Sequence, residues 1–219
     1  MATSAVEDYL KCILLEEQRL PGLRVSMGHI GSSLGVTPGT VTSMMKALAD
    51  GGLVSYEPYS GVLLTRAGEQ LAAHVLRRHR LVELFLVQVL GMDWSEVHAE
   101  AERLEHAISD QVLERMDALL GSPETDPHGD PIPDASGKVP ALALESLARA
   151  LPGERLRVAR VLDQSADFLR YVDQQGLKPG AEIRTAGRDE AADVLTLETG
   201  GETLRIGLRP AARILVERL

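Results

Sequence analysis

The chain has 219 residues, 44% of them hydrophobic and 25% charged, the make-up of a folded protein of two or three compact modules and not of a disordered one. Its net charge of -9 divides as -2 over residues 1–70, -7 over 71–140 and 0 over 141–219, which argues against a generic basic nucleic-acid coat and leaves a DNA binder with a local contact face. The uncharged stretch Leu84 to Met92 is nine residues long, far below the ~20 apolar residues that cross a bilayer, so no membrane span and no membrane partner are expected.

At the start, Glu7 and Asp8 stand where a secretory signal needs basic residues, so the chain is expected in the cytoplasm. Val6, Leu10, Ile13 and Leu14 recur at helical spacing and predict a helix over roughly residues 4 to 18. Cys12 is the single cysteine, which excludes an internal disulfide and a thiolate zinc site. Beyond a turn at Pro21-Gly22, Ile30 and Leu34 mark a short helix, Gly35 breaks it, and Val41, Met44, Met45 and Leu48 mark another that opens near Pro38 and stops at Gly51-Gly52. The run LVSYEPYSGVLLT reads as a hairpin. Together these elements predict a winged helix-turn-helix module over residues 1–70.

From Thr65 to about Leu90 the pattern is one long helix. Asp93, with Glu96 three residues on, opens a second, whose buried stripe is expected to be Val97, Ala101, Leu104 and Ile108. Ser109-Asp110 opens a third that runs to Gly121, and residues 71–140 thus read as a helical module. Five prolines follow Gly121 before ALALESLARAL, so residues 122–155 read as linker, with 141–155 separating the helical module from the last one. AEIRTAGR, DVLTLET, ETLRIGL and ARILVERL alternate apolar and polar residues, as strands of a small β-barrel over 156–219 do. The fold class is mainly α with a C-terminal all-β module.

Histidines and acids recur on the predicted helices. His79 and Glu83 lie one turn apart, and His98, Glu102, Glu105 and His106 fall on a single stripe at offsets of four, seven and eight. Nitrogen and carboxylate donors without thiolate suit manganese, iron(II), cobalt or zinc. A single His-x-x-x-Glu pair is more often a solvated helix pair; two pairs and a Glu-His doublet within the segment that holds most of the negative charge point to metal coordination.

The chain resembles the diphtheria toxin repressor family of metal-activated transcription regulators, and within it the manganese transport regulator branch. The resemblance runs through VEDYL, VTPGTVTSMMKAL, the wing EPYSGVLLT, HRLVE, VHAEAERLEH with ISDQVLERM, and the linker PHGDPIP. It implies a homodimer with a winged helix-turn-helix, a helical dimerisation and metal-binding domain, and an SH3-like, FeoA-like barrel. It further implies one metal site at Asp8, Glu102, Glu105 and His106 and an ancillary one at His79, Glu83 and His98. Iron-type members carry methionine and cysteine at the positions of Asp8 and Glu102, and manganese-type members carry acids. Some manganese regulators have a glutamate where this chain has Lys11, which argues against their close binuclear arrangement. Three-domain members add two barrel ligands at positions that align with Arg160 and Asp163, of which only Asp163 has a donor for a metal, with Gln164 or Asp167 as the candidates if the alignment slips.

Thr37, Pro38, Gly39, Thr40, Thr42 and Ser43 cluster at the start of the predicted recognition helix, where side chains and amides meet bases and phosphates; Lys46, Arg24 and Arg66 are candidate phosphate contacts. Small hydroxyls read sequence weakly, so DNA shape is expected to carry part of the specificity. The combined expectation is a manganese(II)-activated repressor of metal homeostasis genes acting on a palindromic double-stranded operator, with iron(II) as the alternative metal and zinc or cobalt able to bind in vitro. A metalloenzyme with a His/carboxylate centre is the rival of another class, disfavoured by the lack of a nucleophile motif and by the winged helix directly upstream. A winged-helix regulator that senses an organic ligand is the third.

Overall fold

The computed structural model describes residues 3–140 and 142–219. One compact unit runs to His79 and takes in Leu104–Ser109 and Pro133–Val139; the other comprises Arg80–Arg103, Asp110–Ile132 and Pro140–Leu219. The stretch expected as one helical module over 71–140 therefore contributes to both units. No helix among the described residues is long and apolar enough to cross a membrane.

The first unit contains the winged helix. Helix α1 (Ser4–Arg19) is capped by Thr3, whose hydroxyl accepts from the Val6 amide, and it buries Leu10, Ile13 and Leu14. Helix α2 (Met27–Leu34) is capped by Ser26 and ends at Gly35, whose φ of 65° fits the left-handed C-cap. Helix α3 (Pro38–Asp50) has Thr37 as N-cap and Pro38 in its first turn. Strands β1 (Val54–Glu57) and β2 (Gly61–Leu64) pair in the register Val54 to Leu64, and Val25 adds a bridge to Val62. Ile30, Val41, Met45, Leu48, Val54 and Val62 join the α1 residues in one core. Helix α4 (Arg66–Gln88) follows directly. A Cβ on Gly68 would come within 1.9 Å of the Leu53 carbonyl oxygen, so α4 lies flush against the turn before β1. Gly68→Ala is expected to lower the urea midpoint of unfolding by the equivalent of about 1–3 kcal/mol, because a backbone oxygen has no rotamer with which to yield.

In the second unit, α5 (Val97–Leu104) and α6 (Asp110–Leu119) precede a six-stranded sheet. Its strands are β3 (Glu145–Ser146), β4 (Arg155–Val161), β5 (Glu182–Asp189), β6 (Val194–Thr199), β7 (Glu202–Gly207) and β8 (Ile214–Arg218), antiparallel throughout in the order β3-β8-β4-β5-β6-β7. No ladder joins β7 to β3 among the described residues, so the sheet is not closed. Helices α7 (Ala166–Gln174) and α8 (Leu208–Ala211) interrupt it. The core comprises Leu147, Leu156, Val158, Val161, Leu169, Val172, Leu195, Leu197, Ile206, Ile214 and Trp94.

Two boundaries differ from the sequence reading. The segment 141–155, expected as linker, supplies β3 and the buried Leu147 and Ala150. Its ALALESLARAL pattern looks helical, yet among the described residues it forms a 3-10 turn at Leu147–Arg149 and no α-helix. Strand β4 escapes an alternation test because a register shift between Val158 and Arg160 breaks its period.

Candidate metal centre

In the first unit, α1 presents Glu7, Asp8 and Lys11 toward a turn that carries Glu105 and His106. The stripe reading placed those two residues on a helix, but α5 stops at Leu104, which is exposed instead of buried, and the amides of Ala107 and Ile108 close back onto the Leu104 carbonyl. That turn carries Glu105 inward to complete burial. The Nε2 atom of His106 lies 2.8 Å from Asp8 Oδ1 and 3.3 Å from Glu105 Oε1, and its Nδ1 lies 2.6 Å from Glu7 Oε2. Carboxylates only accept, so both ring nitrogens carry hydrogens in this arrangement. Burial alone would lower the His106 pKa, but the bond to Glu7 and the charges of Glu105 and Asp8 outweigh it and raise it.

Glu105 is gripped from two further sides. Lys11, itself buried, places Nζ 2.7 Å from Oε1, and His79 places Nδ1 2.6 Å from Oε2. Burial would push this carboxyl up, yet the His79 bond and the Lys11 charge hold it below the usual range. Asp8, Glu105 and His106 each offer one donor atom, all within 4.8 Å of one another. Two carboxylate oxygens converging on one imidazole nitrogen fit a divalent ion of the manganese, iron or zinc kind.

In the second unit, Glu83 is buried on α4 one turn beyond His79. Its Oε1 lies 3.2 Å from His98 Nδ1, and the other ring nitrogen of the half-exposed His98 lies 3.7 Å from Glu102 Oε1. Asp126 and His128 form a second group with Glu83, again within 4.8 Å. Burial first, then the charges of Asp130 and Glu83, push the Asp126 carboxyl well above its ordinary value. The sequence marks neither residue as a ligand, because a Pro- and Gly-rich loop has no periodicity to mark an inward face.

The start of α3 is open to solvent. Thr37, Pro38, Gly39, Thr40, Ser43 and Lys46 are exposed and Thr42 is partly so. The Thr42 and Ser43 hydroxyls donate to the Pro38 and Gly39 carbonyls at 2.9 and 3.0 Å, which leaves their oxygens as acceptors facing outward. Arg24 is tied to the wing, donating to the Ser55 carbonyl and pairing with Glu57. At the wing tip Tyr59 is fully exposed with a φ of 66°, a position that no sequence signal marked.

Comparison with known proteins agrees with this architecture. The family described as iron dependent repressor, N-terminal DNA binding domain, matches residues 1–62; the iron dependent repressor metal binding and dimerisation domain matches 65–134; and the FeoA domain matches 145–218. The iron-dependent repressor IdeR of Mycobacterium leprae is 30% identical over 97% of this chain and 96% of its own length. The chain belongs to the diphtheria toxin repressor family. The diphtheria toxin repressor of Corynebacterium diphtheriae itself is 28% identical over 91% of this chain and 95% of its own. A solved manganese-dependent transcriptional repressor in complex with manganese superposes with a TM-score of 0.86 at 39% identity, covering 98% of this chain and 100% of the other.

Diphtheria toxin repressor family members are metal-dependent, DNA-binding, dimerising transcriptional repressors and not enzymes, so the metalloenzyme rival is set aside. Against the ligand sets that the family resemblance implied, the structure brings Asp8, Glu105 and His106 together in one unit and Glu83 and His98 together in the other. Glu102 has His98 among its neighbours. Asp163, expected as a barrel ligand of the ancillary site, has protein partners of its own in the structure. Its carboxylate pairs with Arg213 and accepts from the Ser165 amide at 3.0 Å, and it joins no donor group among the described residues. Burial would raise its pKa, but the Ser165 bonds and Arg213 hold it low. Arg160, the other aligned position, is ion-paired with Asp130 of the PHGDPIP segment.

Proposed function

We propose that this metal-dependent repressor is activated by manganese(II) and acts as a homodimer on a palindromic operator that controls metal homeostasis genes in the cytoplasm. The observation that carries the metal choice is the donor set of Asp8, Glu105 and His106, two oxygens to one nitrogen with neither thioether nor thiolate. Glu102 from the sequence-based set would add a third oxygen, and His79, Glu83 and His98 would form the ancillary site. An ion held by Asp8, Glu105 and His106 would supply a hard Lewis acid to which Asp8 of α1 and the donors that follow α5 are ligands.

The chain's own residues account for the coupling to DNA. Asp8 sits on the same helix as Leu10, Ile13 and Leu14, which pack into the core beneath α2 and α3. Any restraint on Asp8 therefore acts on the winged helix as a rigid body. His106 must shed its Nε2 hydrogen to act as a ligand, so acid competes with metal at this atom. Thr37–Thr40, Thr42, Ser43 and Lys46 then serve as the major-groove face of α3, with the two copies about one helical turn apart or a multiple of it.

Operator titrations with manganese, iron(II), zinc and excess chelator test the reading. Manganese is expected to activate at least as fully as any other ion, zinc to activate less than its affinity implies, and chelator to abolish binding. Unchanged operator affinity in chelator would remove metal activation. The second reading, an iron(II) repressor, is favoured by the likeness to the iron-dependent repressor of M. leprae, and stronger activation by iron(II) than by manganese would establish it.

A further inference from the structure

Glu7 stands in the first turn of α1. An acid at that place ordinarily serves the helix dipole from solvent and needs no partner. Glu7 is instead only 9% exposed, and a buried carboxylate is costly unless something binds it. What binds it is His106, ninety-nine residues further along the chain, whose Nδ1 lies 2.6 Å from Glu7 Oε2. On the other side Arg78 of α4 places Nη1 3.8 Å from Oε1, a charge contact longer than a hydrogen bond. Glu7 joins none of the metal-donor groups among the described residues.

Consecutive residues of a helix point about 100° apart, and here the two directions meet on one ring. Glu7 takes Nδ1 of His106 while Asp8 Oδ1 lies 2.8 Å from Nε2. The ring is thus held by its two nitrogens against α1, with Nε2 turned toward the oxygens of Asp8 and Glu105. A neutral imidazole carries one hydrogen, and the nitrogen that carries it cannot be a ligand. A carboxylate that accepts from Nδ1 keeps the hydrogen there, leaves the lone pair on Nε2 and makes that nitrogen a better donor. Without the carboxylate the hydrogen can settle on Nε2, or the ring can turn over, and the donor set loses its nitrogen.

We propose that Glu7 is a positioning residue of the metal centre: it accepts the Nδ1 hydrogen of His106 and thereby aims Nε2 at the place where Asp8 and Glu105 converge. Its neighbour Arg78 belongs to α4, so the arrangement joins α1, the turn after α5 and α4 within the first unit. The proposal deepens the metal-activation reading and rests on the site at Asp8, Glu105 and His106. It adds a residue that touches no ion and yet sets how tightly one is held.

The test titrates the full-length protein with manganese(II) alone, without DNA, and reads the free ion by electron paramagnetic resonance. Asp8→Asn removes a ligand and is expected to lose one class of binding sites. Glu7→Ala and Glu7→Gln should keep the number of sites and weaken that same class, by about ten- to hundredfold for alanine and by less for glutamine, whose carbonyl oxygen still accepts from Nδ1. In the zinc-loaded protein with 15N-labelled histidine, the Nδ1–H proton of His106 should move upfield in Glu7→Gln. A purely structural role would lower the urea midpoint in chelator and leave both the affinity and that resonance where they are. If Asp8→Asn loses its class while both Glu7 variants bind as tightly as the wild type, the positioning role is overturned and the activation reading stands. If Asp8→Asn itself binds manganese like the wild type, the activation reading falls and the proposal with it. Should Glu7→Ala not fold, Glu7→Gln carries both readouts, and wild-type values in it overturn the proposal.

Discussion

Glu105→Ala is expected to abolish metal-dependent operator binding and, independently, to make the metal-free protein easier to unfold by about 3–5 kcal/mol. The two effects have different causes. For binding, Glu105 supplies one of the converging oxygens beside His106 Nε2. For stability, its carboxylate is wholly buried between Lys11 Nζ at 2.7 Å and His79 Nδ1 at 2.6 Å, so truncation removes a buried anionic acceptor from a buried ammonium and a buried imidazole. Breaking one half of a buried pair is strongly destabilising, whereas replacing both halves by apolar groups is often neutral. Lys11→Met combined with Glu105→Leu should therefore recover most of the stability while operator binding stays absent. Urea unfolding in chelator and operator titration in manganese read the two effects separately. A single Glu105→Ala variant with the wild-type urea midpoint would show that the Lys11 pair is not needed for folding.

The winged helix was legible because its signals are local. Thr3, Ser26 and Thr37 cap where capping residues stand, Gly35 adopts the left-handed form, and the apolar residues of α1 and α3 keep the helical period. The donor residues were legible as residue types but not as geometry. His98 and Glu102 do share a face of α5, yet Glu105 and His106 reach their positions only because the helix ends at Leu104, and no helical projection anticipates that turn. The inner group at Asp126 and His128 was invisible for a related reason. Its burial follows from contacts with Trp94 and Val161, and Gly129, with a φ of +84°, allows the loop to lie against the Ala159 carbonyl. Alignment by position likewise carries no information on Arg213, fifty residues further along the chain, which pairs with Asp163.

Lys11→Glu is expected to convert the first unit's site from one ion to two. In the structure the Lys11 ammonium is a buried cation 2.7 Å from Glu105 Oε1, on the side of that carboxylate away from its contact with His79 through Oε2. It supplies a positive charge among the clustered acids, and some manganese regulators that this chain resembles have a glutamate at this position. A glutamate here removes the counter-charge of Glu105 and adds a carboxylate within reach of Asp8 and Glu105. Without metal the variant should lose about 3–5 kcal/mol, since a buried acid is left beside another acid. With manganese the loss should reverse, because a ligand that binds only the folded state adds about 2.7 kcal/mol at a hundredfold excess over its dissociation constant, and the variant would gain from one more such event than the wild type. Elemental analysis should find one more manganese per protomer than in the wild type, and the separation between urea midpoints with and without manganese should widen. An unchanged manganese count, with the midpoint low in both conditions, would mean that Lys11 is an ordinary structural partner of Glu105 and not an internal substitute for a second ion.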